Sequence, residues 1–129
     1  MAAMLFATAI QKNSPINLYN GGKMRRDFTY VDDIVTGILA SLETPLGYQI
    51  INLGGANTVE LEYFVSTLEH SMGKVAKKNY LPMQAGDVLQ TSADISKAQK
   101  LLQWQPTVSL EDGIERFVTW FNHYYSENL

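Results

Sequence analysis

The chain contains no cysteine, which excludes disulfides and thiolate chemistry and fits a reducing compartment. It also lacks a basic excess: 10 Lys and Arg against 13 Asp and Glu leave a formal charge of −3. A polyanion binder needs surplus cations to displace counterions, so no nucleic-acid partner is expected. No apolar run is long enough to cross a bilayer, and the opening MAAMLFATAIQ lacks the positive flank of a secretory signal. No membrane partner follows, and a cytoplasmic location is expected. The fingerprints G-x-G-x-x-G and G-x-S-x-G are both missing. Gly54-Gly55 follows an apolar run, but no third glycine comes after it to admit a pyrophosphate. The 2 histidines, His70 and His123, stand far apart without a thiol beside them, so they read as surface residues and no metal site is expected.

What is present is ordinary globular material. With 46 % apolar and 18 % charged residues over 129 positions, disorder is excluded and a single domain over residues 1–129 is expected. Ala2 to Gln11 reads as a mostly buried helix that starts without a capping residue, as though cut from a longer chain. Pro15 breaks it, and Ile16 to Tyr19 reads as a short strand ending at Gly21-Gly22. Phe28 to Val31 reads as a second extended piece. Val31, Ile34, Val35, Ile38, Leu39 and Leu42 then recur at helical spacing up to Pro45, with Asp32 and Asp33 in the first turn as dipole partners.

Tyr48 to Leu53 reads as a strand. From about Val59 to Met72 the period is helical, closed by Gly73. Val75 to Met83 and Asp87 to Ala93 read as extended, with a turn around Gln84-Ala85-Gly86. Asp94 caps a helix over Ile95 to Gln103, and Ser109-Leu110-Glu111-Asp112 resembles a capping box opening a final aromatic helix. The fold class is mixed α/β: a small sheet of short strands packed with several helices, too few strands for a doubly wound sheet.

The densest chemistry lies in NLYNGGKMRRDFTYVDD, residues 17 to 33. Tyr19 and Lys23 match Tyr-x-x-x-Lys, but that pair works only on one helical face, and Gly21-Gly22 between them cost a helix about 2 kcal/mol. It is rejected as a proton-transfer pair, and no catalytic residue is expected in this chain. Lys23, Arg25 and Arg26 after a Gly-Gly turn suit an anion, because a guanidinium fork can hold a diphosphate at two points. A solvated basic loop is the plainer alternative. If residues 26–31 are extended, Arg26, Phe28 and Tyr30 share a face, which favours a pocket over open solvent.

GKMRRDFTYVDDIVTGI, INLGG, LPMQAGDVLQTSADISKAQKLLQWQP and SLEDGIERFVTWF together resemble the C-terminal part of extended short-chain dehydrogenase/reductases acting on nucleotide sugars. They look most like the UDP-glucuronate 4-epimerase type; UDP-N-acetylhexosamine 4-epimerases and nucleotide-sugar 4,6-dehydratases share much of the pattern. The resemblance implies the lobe that holds the nucleotide end of a UDP-sugar, without the Rossmann domain that carries NAD and the catalytic pair. NAD then belongs to the full-length enzyme, this chain binds no cofactor, and the missing Rossmann domain is its partner.

By motif, Tyr19 matches the aromatic packed on uracil and Asn17 the strand edge that reads the base. Arg26 matches the arginine on the diphosphate, and Asp87 the carboxylate on the ribose hydroxyls. Gln84 stands where many relatives place a second diphosphate arginine, and Thr91 where some galactose epimerases have a tyrosine. The implied reaction of the whole enzyme is reversible inversion at C4, with this lobe inactive alone. The competing expectation is a non-catalytic interaction module, using the apolar start and the aromatic C-terminal helix as its patch.

Overall fold

The computed structural model describes residues 2–126, Ser126 by its backbone only. The mixed α/β class of short strands packed with helices is what the chain forms, and among the described residues those strands pair as two two-stranded ladders. Helix α1 (Ala2–Gln11) leads into β1 (Pro15–Tyr19), which pairs in parallel with β4 (Lys77–Leu81). After a 3₁₀ turn at Asn20–Gly22, β2 (Arg25–Asp27) pairs antiparallel with β3 (Thr58–Glu60). The remaining helices are α2 (Val31–Glu43), α3 (Leu61–Met72), α4 (Ser96–Leu102) and α5 (Leu110–Ser126).

Helix ends fall where their chemistry predicts. Gly73 takes the left-handed conformation at φ 62° and closes α3, with its amide donating to the carbonyls of Glu69 and His70. Ser109 Oγ accepts the Asp112 amide at 3.1 Å and opens α5. Helix α4 instead begins at Ser96 with Ile95 in the cap position, not Asp94. Asp94 Oδ1 accepts the Ser96 hydroxyl and, at 3.0 Å, the Ser96 amide. Those two bonds, the hydroxyl's first, hold its carboxyl below the usual carboxylate range.

Two apolar clusters hold these elements. The larger joins α1, β1, α3 and α5 through Ile10, Leu18, Phe64, Leu68, Val118 and Phe121. Along α5 the aromatics meet at i and i+4, as in Phe121 with Tyr125 at 4.8 Å between centroids. The smaller cluster gathers Ile95, Ala98, Leu102 and Trp104 against Ala40, Leu46, Ile51 and Leu53. Both histidines lie on the surface.

Several expectations need correcting. The strand expected at Phe28 to Val31 lies three residues earlier, at Arg25–Asp27, and Val31 is already helical. The helix expected from about Val59 begins at Leu61, because residues 58–60 form β3. Asp87 to Ala93 is a loop that touches β2 through one bridge, Arg25 to Gln90. Tyr48 to Leu53 is not a strand: neither ladder among the described residues reaches it. A strand needs a neighbour for its N–H and C=O groups, and apolar content alone supplies none. Tyr48 and Ile50 stand 88 % and 70 % exposed.

Helix α2 is turned the other way from its apolar stripe. Its buried residues are Asp33 and Gly37, while Val31, Val35, Ile38, Leu39 and Leu42 are exposed. Asp33 is therefore more than a dipole partner. Its Oδ1 accepts the Thr107 amide and hydroxyl and its Oδ2 the Val108 amide, all at 3.0 Å.

Candidate functional site

Strand β1 delivers Tyr19 in extended conformation, and the chain then turns through Asn20–Gly22 with Gly21 at φ 61°. That geometry is not an α-helix, so Tyr19 and Lys23 do not share a helical face. The return strand β2 carries two arginines with different tasks. Arg25 donates to the Thr58 carbonyl at 2.7 Å and meets Glu60 at 3.4 Å, fastening β2 to β3. Arg26 points to the other side.

There it shares a cavity of about 300 Å³ with Tyr19 and Asp87. Buried Met24, with Phe28, Leu61 and Ala2, gives the cavity an apolar floor, and Tyr19, Arg26 and Asp87 supply polar atoms at its wall. An apolar floor beside a phenol accepts a planar ring, and a guanidinium and a carboxylate suit an anion and hydroxyl groups. Arg26 Nη2 donates to Asp87 Oδ1 at 2.9 Å, and Nη1 donates to the carbonyls of Arg25 and Val88 at 2.9 Å each.

The structure thus brings together three of the five expected site residues. Asn17 lies mid-strand and exposed, its Oδ1 accepting from Asn79 Nδ2 at 3.3 Å. Among the described residues β1 pairs only with β4, so its other edge is open. Gln84 is exposed at the turn, where its carbonyl accepts the Asp87 amide at 3.2 Å. Neither lines the cavity. Lys23 is exposed and outside it as well. Of the three residues read as one face, Arg26 and Phe28 line the cavity. Tyr30 lies instead under Arg116, whose guanidinium carbon is 5.4 Å from the ring centroid.

Met24, Asp27 and Leu61 are lining residues that sequence reasoning missed. The signal for Met24 was available: it is an apolar residue between Lys23 and Arg25 in a basic run, which is the mark of a strand approaching with one face inward. Asp27 Oδ2 accepts the amides of Ala56 at 3.0 Å and Ala93 at 2.9 Å, tying two loops to β2.

A dinucleotide finds no seat at Gly54-Gly55. A Cβ on Gly54 would stand 2.4 Å from the Ala93 Cβ, and one on Gly55 would stand 2.4 Å from Asp27 Oδ1. The space those glycines leave is filled by the chain itself, and by a carboxylate that repels phosphate. That corner does not fit the pyrophosphate of a dinucleotide.

A family model described as GDP-mannose 4,6 dehydratase matches residues 2–117. The chain is 47 % identical to a UDP-glucuronate 4-epimerase of Thermodesulfobacterium geofontis, over 93 % of its own length and 37 % of that protein. It is 37 % identical to a probable UDP-glucuronate 4-epimerase of Rhizobium meliloti, over 97 % of its length and 42 % of the relative. It superposes with a TM-score of 0.89 and 39 % identity on the UDP-glucuronic acid 4-epimerase of Bacillus cereus, solved with UDP-glucuronic acid and NAD. That match covers 97 % of this chain and 40 % of the other. The chain spans about 40 % of these proteins, their C-terminal part.

Proposed function

The chain belongs to the GDP-mannose 4,6 dehydratase family, and from that membership we propose that it is the lobe gripping the nucleotide of a UDP-sugar for a 4-epimerase. The observation that carries this reading is the single cavity lined by Tyr19, Arg26 and Asp87. In it the Tyr19 ring packs on uracil, Arg26 takes the diphosphate and Asp87 accepts from the ribose hydroxyls. The open edge of β1 at Asn17 reads the base, and Gln84, outside the cavity, contributes no charge to the diphosphate. UDP-glucuronate is the favoured sugar nucleotide. A 4,6-dehydratase lobe is the alternative, since the family model carries that description.

NAD supplies hydride transfer to the whole enzyme when bound, in a Rossmann domain that this chain does not contain. Inversion at C4 requires the sugar to turn over while the nucleotide stays fixed. This lobe does the fixing, and alone it does not turn over substrate.

The interaction-module reading gains one observation and loses another. Helix α1 is half-buried, with Leu5 its exposed large side chain, so the apolar start is a poor patch. The exposed stripe of α2 is a better one. That surface suits the absent Rossmann domain as partner, and so supports the same lobe reading. Among the described residues no helix is long and apolar enough to cross a membrane.

Titration with UDP, followed by amide and side-chain NMR, tests the proposal. Shifts confined to Tyr19, Arg26, Asp87 and the floor residues are expected, and a larger response to UDP-glucuronate than to dTDP-glucose favours the epimerase. A saturating UDP titration that moves none of those resonances overturns it.

A further inference from the structure

Among the described residues that line it, the candidate cavity leaves no unpaired cation for an anion. Its lining pairs one guanidinium, Arg26, with the carboxylate of Asp87; Asp27 also lines it, but its carboxylate is turned to the Ala56 and Ala93 amides. The other two cations of the run do not help. Arg25 is engaged with Thr58 and Glu60, and Lys23 stands outside. The guanidinium is itself occupied, by Asp87 Oδ1 and by the Arg25 and Val88 carbonyls. A diphosphate entering this arrangement would meet a neutralised arginine with a carboxylate against it, and like charges brought together in a site are repulsive.

The segment that carries Asp87 is held in two distinct ways. Its far end is bound to β2 by backbone: Arg25 N donates to the Leu89 carbonyl at 2.8 Å and Thr91 N to the Arg25 carbonyl at 3.2 Å. Ala93 N adds a bond to Asp27. Its tip, residues 84–88, is exposed apart from half-buried Asp87 and turns at Gly86 with φ 83°. The contacts from β2 to that tip run through the Arg26 side chain.

We propose that Arg26 and Asp87 form a clasp that a nucleoside diphosphate opens by exchanging partners. Phosphate oxygens take the guanidinium, ribose hydroxyls take the carboxylate, and the 84–88 tip is released from β2 as the pair separates. The inference rests on the nucleotide reading of the cavity. It adds that affinity depends on offering both halves of the exchange. An anion with no hydroxyls must break the ion pair and leave Asp87 charged beside phosphate. A nucleotide with a ribose gives both residues new partners.

Two variants and two probes test the clasp on the chain as it stands. Without ligand, Arg26→Gln is expected to speed amide exchange at residues 84–88 at least about tenfold over the intact chain, while β1 and α3 stay protected. Asp87→Asn, in an exposed loop, removes the competing charge without touching the core. It should raise affinity for inorganic pyrophosphate at least about fivefold and lower that for UDP, a coupling of ordinary size. UDP bound to the intact chain should speed exchange at 84–88. Unchanged tip exchange in Arg26→Gln, unchanged pyrophosphate affinity in Asp87→Asn, or slowed tip exchange with UDP each overturns the clasp. If UDP fails to bind the intact chain, the nucleotide reading falls and the exchange falls with it; if UDP binds at Tyr19 but tip exchange does not rise, the clasp alone is overturned. Failure of both ligands on every variant overturns both.

Discussion

Asp33 and Thr107, 74 residues apart in sequence, are joined twice by one carboxylate oxygen, which accepts both the amide and the hydroxyl of Thr107 at 3.0 Å. Its other oxygen accepts the Val108 amide, and the Asp33 carbonyl accepts from Trp104 Nε1 at 3.0 Å. One residue in the first turn of α2 therefore fixes the approach to α5. Asp32, its neighbour, meets Arg116 at 3.6 Å with both side chains more than half exposed. Asp33→Ala should lose about 3 kcal/mol, because it removes a buried carboxylate that accepts two part-buried amides and a hydroxyl. Asp32→Ala should change stability by less than about 0.5 kcal/mol. Urea unfolding of the two variants side by side checks the contrast, and equal losses would refute the assignment.

That pair shows what the sequence could and could not convey. The local signals were legible: Gly73 as a cap, Ser109 opening α5, the turn at Gln84 to Gly86 and the helical periods. Each is decided by residues a few positions apart. Asp32 and Asp33 looked alike because what separates them lies across the fold, at residues 107 and 108. The 48–53 run looked like a strand because apolar content was visible, while the partner a strand requires was not. That Tyr19, Arg26 and Asp87 belong to one candidate site came through resemblance to a family, and they do line one cavity. Its floor depends on Met24 and Leu61 meeting from different elements, which no local pattern shows.

Tyr63 OH donates to Glu111 Oε1 at 2.5 Å, linking α3 to α5. This hydrogen bond holds the Glu111 carboxyl below its usual range, and the same bond, with the repulsion of Glu111, pushes the Tyr63 phenol up. A depressed carboxyl contributes stability that is present above its unfolded pKa, about 4.3, and lost as pH falls through the folded value. A raised phenol contributes below about 10 and loses it as pH rises past the folded value. Tyr63→Phe should return the Glu111 carboxyl toward its ordinary midpoint in an NMR titration and flatten the acid limb of the stability curve. An unmoved Glu111 midpoint would contradict the link.

The Gly54-Gly55 corner should be intolerant where Gly86 is forgiving. A methyl on Gly55 would sit 2.4 Å from Asp27 Oδ1 and 2.5 Å from the Phe28 carbonyl oxygen, neither of which has room to yield. Gly55→Ala should cost about 2 to 3 kcal/mol as an overpacking change. Gly86→Ala meets nothing within 4 Å, and its positive φ should cost only about 1 kcal/mol. Thermal melts of both variants order them.

Helix α2 offers the sharpest reversal of what its sequence invites. The large apolar residues would be judged its core and Gly37 a tolerated break. Yet Gly37 is buried, and a Cβ there would stand 2.7 Å from Leu53 Cδ1 and 3.1 Å from the Trp104 ring. The backbone of α2 lies close on the smaller apolar cluster because that position carries no side chain. Gly37→Ala gains helix propensity of about 1 kcal/mol, but it must displace the Leu53 methyls and crowd Trp104, whose ring nitrogen is held by the Asp33 carbonyl and Thr36 Oγ1. The net loss should be about 2 kcal/mol. Val35→Lys and Ile38→Lys, on the exposed stripe, should each leave the chain within about 0.5 kcal/mol. Chemical unfolding of the three variants decides the matter: if either lysine costs more than Gly37→Ala, the stripe faces the core after all.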